Sequence, residues 1–152
     1  GGDGNDTVLG GFGADTLIGN AGADVLSGGA LGDVLFGNAG FDFLNGGFGS
    51  DRLNGGAGPD RFFHLGVSDH GSDWVQDYRQ TEGDRLIIGI ASATPTQFQI
   101  NYANTPDAGA ANVQEAFIIY KPTGQIIWAL VDGAGQDGIM LQIGADVFDL
   151  MG

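Results

Sequence analysis

Seven aspartates recur every nine residues in the first part of the sequence. They are Asp6, Asp15, Asp24, Asp33, Asp42, Asp51 and Asp60. A glycine stands five positions before each of them, and more glycines follow it, so the chain can turn sharply before every aspartate. Such turns point backbone carbonyl oxygens inward beside a carboxylate, and these are the oxygen ligands that Ca²⁺ prefers. The spacing therefore predicts a series of calcium sites.

The predicted ligands are the seven carboxylates together with carbonyl oxygens of the glycine turns. The glycines concerned are Gly1, Gly2, Gly4, Gly10, Gly11, Gly13, Gly19, Gly22, Gly28, Gly37, Gly40, Gly46, Gly47 and Gly49. The metal sites are thus expected to depend on backbone shape as much as on side chains.

The element that positions these turns is a nine-residue block, repeated seven times without insertion over residues 1–63. Position eight of every block is a large apolar residue, two places after the aspartate. In a short strand, alternation sends position eight inward and positions seven and nine outward. A flexible acidic linker would not keep this pattern, so a stack of short strands is predicted.

These blocks resemble the calcium-binding nonapeptides of the RTX (repeats-in-toxin), hemolysin-type family. The resemblance implies an all-β fold, a right-handed parallel β-roll in which two blocks form one coil and equivalent turns stack every 18 residues. Aspartates 6, 24, 42 and 60 would then line one edge. The other edge would hold aspartates 15, 33 and 51, with Asp69 in the same register. About five interior Ca²⁺ sites are expected between stacked turns.

One residue breaks the pattern. Leu31 occupies position four, where the other blocks have glycine. A left-handed backbone costs an L-residue about 1–2 kcal/mol, so Gly32 is expected to absorb the kink, and the neighbouring sites are expected to be weaker.

Composition supports a cation as the partner. The chain has 19 acidic and 5 basic residues, a net charge of −14, and no cysteine that could replace a metal as a staple. Nucleic acid and anionic membranes are therefore poor partners, and no apolar run is long enough to span a membrane. Because the sequence opens directly on a repeat, it is expected to be a fragment of a larger protein.

Residues 64–152 are predicted to form a C-terminal β-rich cap and flanking region, because glycine becomes rarer and β-branched and aromatic runs appear. The segment around Gly71–Leu86 resembles the one that follows RTX rolls in serralysin-type proteases. That resemblance implies an edge Ca²⁺ held by Asp73 and Asp77. The tail resembles a type I secretion signal in composition.

The resemblance implies a calcium-binding module that leaves a low-calcium cytoplasm unfolded through a type I secretion apparatus. It would then fold outside the cell and stabilise a larger secreted protein. No catalytic motif is present: His64 and His70 flank Asp69 without an HExxH pattern, so no enzyme activity is expected in this chain.

Two alternatives remain open. One is binding of an alginate-like polysaccharide, although Arg52 and Arg61 should fall on opposite sheets and form no basic stripe. The other is an adhesin or partner-docking role for the outward apolar positions, such as Ile18 and Val25. Residues 91–152 are expected to fold back over one of these faces.

Overall fold

A computed structural model describes all residues, 1–152. The strands are β1 (Gly2–Asp3), β2 (Thr7–Phe12), β3 (Thr16–Gly22), β4 (Val25–Ala30), β5 (Val34–Gly40), β6 (Phe43–Phe48), β7 (Arg52–Ala57), β8 (Arg61–His64), β9 (Asp73–Val75), β10 (Arg85–Ile88), β11 (Phe98–Ala103), β12 (Glu115–Tyr120), β13 (Gln125–Leu130), β14 (Met140–Ile143) and β15 (Asp146–Asp149). Three short 3-10 helices cover Gln80–Glu82, Pro95–Gln97 and Gly133–Gly135. None of the helices has the length and apolar character needed to cross a membrane.

Successive strands of the repeats alternate between two sheets. Sheet 1 has the strand order β1-β3-β5-β7-β9-β13-β12-β11, and sheet 2 has the order β15-β14-β10-β8-β6-β4-β2. Strands β1 to β10 pair only in parallel with their sheet neighbours. The chain therefore winds as a parallel β-solenoid of about four turns, which confirms the predicted β-roll.

Period-two alternation decides which side chains form the core. In β4, Leu26 is 0% exposed while Val25, the preceding residue, is 42% exposed. The same position of the later blocks is also fully buried, at Leu35, Leu44, Leu53 and Phe62. Each coil thus contributes two apolar side chains to a narrow core between the sheets, and the inward position eight is confirmed.

The spacing between coils is regular over the repeats and then lengthens. Backbone-to-aspartate hydrogen bonds link residues 18 apart along the repeats. The corresponding bonds from Asp51 and Asp60 reach residues 22 and 24 further on. The longer connections contain loops, and non-glycine Asp69 has a positive φ of 67° in the first of them. The strict 18-residue register therefore ends with the seventh block.

Both sheets continue beyond residue 63. Strands β13 and β14 pair in parallel with β9 and β10, and antiparallel strands then close each sheet. A single cluster of buried apolar residues runs from Leu17 to Ile143. The antiparallel strands cover the exposed backbone edge that the parallel stack would otherwise present.

The expectation that residues 91–152 fold back over an apolar outer face of the repeats is wrong, although the loop between β11 and β12 reaches the outer side of sheet 1 beside Arg52 and Trp74. These residues extend the two sheets edge to edge, so Ile18 and Val25 on the outer faces remain 45% and 42% exposed. Backbone N–H and C=O groups left unpaired at the edge of the last strands cost more free energy than exposed apolar side chains on the outer faces. The C-terminal strands therefore pair with those edges.

Leu31 takes up the turn conformation itself, with φ 80°, and Gly32 is not among the residues with positive φ. The prediction that Gly32 absorbs the kink is therefore wrong. The side chain of Leu31 points to solvent, 63% exposed, so the left-handed backbone is accommodated without a clash in the core.

Replacing Leu26 by Ala should lower the free energy of unfolding by about 2–5 kcal/mol, because it opens a cavity in the narrow core. Val25→Ala, in the same strand but on the outer face, should cost less than about 1 kcal/mol. Urea unfolding of both variants in excess calcium measures the difference. Equal losses would show that the inward position does not carry the core.

Candidate metal site

Each column of aspartates is linked by hydrogen bonds from one coil to the next. The backbone N–H of Asp6 donates to Asp24 Oδ1 at 2.8 Å, and that of Asp24 donates to Asp42 Oδ1 at 2.9 Å. The other edge repeats the arrangement from Asp15 to Asp33 and from Asp33 to Asp51, both at 2.8 Å. From Asp24 and Asp33 onward, one oxygen of each carboxylate therefore accepts a bond from the preceding coil.

The second carboxylate oxygen has no hydrogen-bond donor. This holds for Oδ2 of Asp6, Asp15, Asp24, Asp33, Asp42, Asp51, Asp60 and Asp73, all of them buried atoms. A buried carboxylate oxygen without a partner is costly unless a proton or a cation balances it.

These unpartnered oxygens lie next to carbonyl oxygens. A Cβ added to Gly10 would meet Asp15 Oδ2 at 2.8 Å and the carbonyl oxygen of Gly28, one coil on, at 2.5 Å. Gly19, Gly28 and Gly37 repeat this geometry, each beside its own aspartate and the first glycine of a later block. In each of these parallel strand pairs, the first glycine of the block has no partner in the strand register. Two kinds of oxygen thus converge at one point in each turn.

The other predicted carbonyls have a different neighbour. The carbonyl oxygens of Gly4 and Gly22 face Gly22 and Gly40 of the next coil, so closely that a Cβ there would clash. Gly11 and Gly29 do the same at position two. Glycine at these positions therefore allows a close coil-to-coil contact in addition to the turn, although Asn20, Asn38 and Leu31 adopt a left-handed backbone at equivalent positions of other blocks.

The donor set fits calcium. No group of three or more His, Cys, Asp or Glu side chains is clustered so that it could hold a metal ion. The convergent atoms are instead carboxylate and carbonyl oxygens, hard ligands that suit Ca²⁺ and its flexible coordination. Bound there, calcium would supply the positive charge that these acceptor oxygens lack.

The last aspartate of each column lies outside the regular 18-residue spacing. Asp51 N–H donates to Asp73 Oδ1 at 3.3 Å, so Asp73 and not Asp69 occupies the next step. Asp69 is exposed in the preceding loop, and its predicted place in the column is wrong because the connection is four residues longer. On the other edge, Asp60 N–H donates to Asp84 Oδ1 at 2.8 Å.

Asp84 was not among the predicted ligands. A signal was present, since Asp84 is followed by Arg85 and Leu86 just as Asp60 is followed by Arg61 and Phe62. The aspartate-x-apolar step marks the start of a strand even where the glycine turn has been replaced.

Asp77 acts differently from the column aspartates. Its two oxygens accept the N–H groups of Gly55 and Gly56, at 2.9 and 2.6 Å, and Glu82 accepts that of Gly58 at 3.1 Å. These carboxylates take the place of the carbonyls that a further turn would provide. Asp77 therefore caps the last turn, and both of its oxygens are already engaged.

His64 and His70 lie in the interior beside this cap. His64 Nδ1 accepts the N–H of Gly66 at 2.8 Å, and Nε2 lies 3.0 Å from the carbonyl oxygen of Gly71, so Nε2 carries the proton. Burial lowers the pKa of His64 to about 4. The ring is a neutral packing group whose two nitrogens are satisfied.

At the C-terminal end of the columns, next to the cap formed by Asp77, burial disfavours the ionised form of the carboxylates. Burial raises the pKa of Asp60 to about 7 and that of Asp84 to about 6, although N–H donors lower both. Burial, followed by the charge of Asp51, raises the pKa of Asp73 well above its usual range. Without a cation, this end of the stack favours protons.

Lowering the pH from 8 to 6.5 should therefore increase β structure in the calcium-free chain. Because the pKa of Asp60 is raised from 3.8 to about 7 in the folded state, the folded state binds more protons than the unfolded chain between these pH values. The stability of the folded state therefore falls as pH rises through 7. His64, with its pKa lowered from 6.5 to about 4, opposes folding only below pH 6.5. Circular dichroism in chelator measures the change.

Asp60→Asn is the control for this prediction. It should reduce the pH dependence, since the amide does not titrate. A loss of β structure on acidification to pH 6.5 would contradict the assignment of a buried, uncompensated carboxylate.

Comparison with known protein families agrees with this geometry. A family model described as RTX calcium-binding nonapeptide repeat matches in 4 copies, over residues 1–35 and 27–62. A comparison with curated proteins found no matching relative. Matched sequence, parallel coils and stacked aspartates together identify residues 1–62 as RTX calcium-binding repeats folded into a hemolysin-type β-roll.

Proposed function

We propose that the chain is a folding module switched by calcium, disordered when calcium is scarce and assembled when calcium is abundant. The observation that carries this proposal is the series of buried Asp Oδ2 atoms without donors. They belong to every block of the roll and to Asp73, so nearly every coil is incomplete without positive charge.

The magnitudes favour a switch. Neighbouring strands in a sheet lie about 4.8 Å apart, and two carboxylates at that distance repel by roughly 3 kcal/mol at an effective dielectric of about 20. One buried leucine contributes about 1.5–3 kcal/mol. Repulsion between coils is therefore of the same size as the apolar stabilisation that each block provides, and cations in the turns reverse its sign.

The aspartate pairs suggest how many ions take part. Five pairs fall within the repeats, at Asp6–Asp24, Asp15–Asp33, Asp24–Asp42, Asp33–Asp51 and Asp42–Asp60. Two more involve Asp51–Asp73 and Asp60–Asp84. About five interior sites are proposed, with the Asp51–Asp73 pair as an additional one, because Asp84 already accepts N–H groups at both of its oxygens.

The switch suits a protein that is exported. Extracellular calcium modules bind with dissociation constants of about 10⁻⁴–10⁻³ M, so such a chain stays unfolded in a low-calcium cytoplasm. An unfolded chain can pass a type I secretion apparatus and then fold in millimolar calcium outside. The folded roll would stabilise the larger protein to which it belongs, without a catalytic role of its own.

Asp24→Asn is the sharpest test of the proposal. Asp24 is shared by two pairs, with Asp6 and with Asp42, and asparagine keeps an oxygen for the Asp6 N–H while removing the charge. The calcium concentration at the folding midpoint should rise about tenfold, because affinity depends on the charge of the ligands. Circular dichroism during calcium titration gives the midpoint.

Asp107→Asn is the matched control, since Asp107 is exposed and far along the chain from the repeats. Its midpoint should match that of the parent. In chelator, Asp24→Asn should be at least as ordered as the parent, because a repulsive charge has been removed. An unchanged midpoint for Asp24→Asn would refute calcium binding at this turn.

A further inference from the structure

A cleft of about 290 Å³ opens on the outer face of sheet 1, where Arg52 and Trp74 directly follow the column aspartates Asp51 and Asp73. Its floor lies where β7 meets β9, and the loop containing Pro106 and Asp107 forms one side. Arg52, Trp74, Gln76 and Val131 complete the lining. Calcium binding does not use any of these side chains.

The fold itself places the floor residues together. Arg52 and Trp74 are direct partners in the parallel register of β7 and β9, so their side chains stand on the same face. Val75 points into the core, which leaves Trp74 and Gln76 on the outer side of the strand. The Trp74 ring packs edge-to-face on Phe117, with centroids 6.0 Å apart, and this contact fixes its orientation.

The polar groups of the cleft are free to bind a ligand. Arg79–Glu82 is the only salt bridge in the structure, so Arg52 has no carboxylate partner. Asp107 is exposed on the opposite side and adopts a left-handed backbone, with φ 61°. The cleft therefore combines one aromatic ring with a guanidinium, a carboxamide and a carboxylate. The lining is mostly polar beside the one indole ring, which suits a hydroxylated ligand better than an apolar one.

This combination fits a sugar ring. The C–H face of a pyranose can pack on an indole ring, and its hydroxyls can accept from Arg52 and donate to Asp107. The volume is near the lower end of ligand pockets, about 300 Å³, which suits one ring. Arg52 and Asp107 balance each other in charge, and the chain carries a net charge of −14, so anionic sugars are disfavoured.

We propose that this cleft binds a single neutral hexopyranose, either as a free sugar or as one residue of a glycan. This site is independent of the calcium switch, except that the folded roll is needed to form it.

Two-dimensional NMR of the full chain in saturating calcium tests the proposal. The probes are the methyl glycosides of glucose, galactose and mannose, with methyl glucuronide as the anionic arm. Saturable shifts of the Trp74 indole N–H are expected with at least one neutral glycoside at up to about 50 mM, which would saturate a millimolar site. The chain has 2 tryptophans, and the fully buried Trp128 should not shift.

Arg52→Ala should weaken binding at least about tenfold, as expected for loss of a hydrogen bond to a charged group. Lys121→Ala, which removes an exposed cation on the β12–β13 turn, should leave it unchanged. Gln76→Ala provides a second cleft variant, and circular dichroism confirms that each variant folds.

Three results would overturn the proposal. They are an absence of saturable shifts with every neutral glycoside, equal binding by Arg52→Ala and the parent, and binding of methyl glucuronide alone. Comparison of the monosaccharide glycosides with cellotriose separates a free-sugar site from a glycan site. Because folding is monitored in the same samples, a failure of sugar binding stays distinct from a failure of the calcium switch.

Discussion

The fold depends on a single repeated contact, the bond from an aspartate N–H to the carboxylate one coil further on. From Asp24 and Asp33 to Asp60 and Asp73, each carboxylate uses Oδ1 for this bond, and its Oδ2 is left buried without a donor. The interaction that aligns the coils therefore also gathers negative charge along both edges. A cation is the natural counterpart, because the apolar core has only two large side chains per coil. The stacking of the coils and the proposed need for a metal thus have the same origin, the aspartate at position six of the block.

At the C-terminal end of the roll, backbone N–H groups also need carboxylate acceptors, but different residues provide them. Donor N–H groups of the last glycine turn still need acceptors, and no eighth block follows. The carboxylates of Asp77 and Glu82 accept them, while Asp73 and Asp84 extend the two columns. Antiparallel strands then finish both sheets. The C-terminal half is in this sense a continuation of the roll that replaces backbone turns by acidic side chains.

Periodicity made the repeats predictable. Glycine at fixed positions, aspartate at position six and an apolar residue at position eight determine the turns, the columns and the core, and the 18-residue step follows from two blocks per coil. The prediction for Asp69 is wrong because the 18-residue step does not extend beyond Asp51, which is followed in its column by Asp73. The length of an irregular loop follows from tertiary packing, which no local pattern encodes. Leu31 was misjudged for a related reason, since an exposed side chain allows the left-handed backbone.

Circular dichroism of the purified chain in excess chelator, and then in millimolar calcium at the same neutral pH, tests the central claim most directly. A coil spectrum in chelator that converts cooperatively to β structure on adding calcium is the predicted result. Equal β structure under both conditions would mean that the stacked carboxylates tolerate one another without a cation, and would contradict the account.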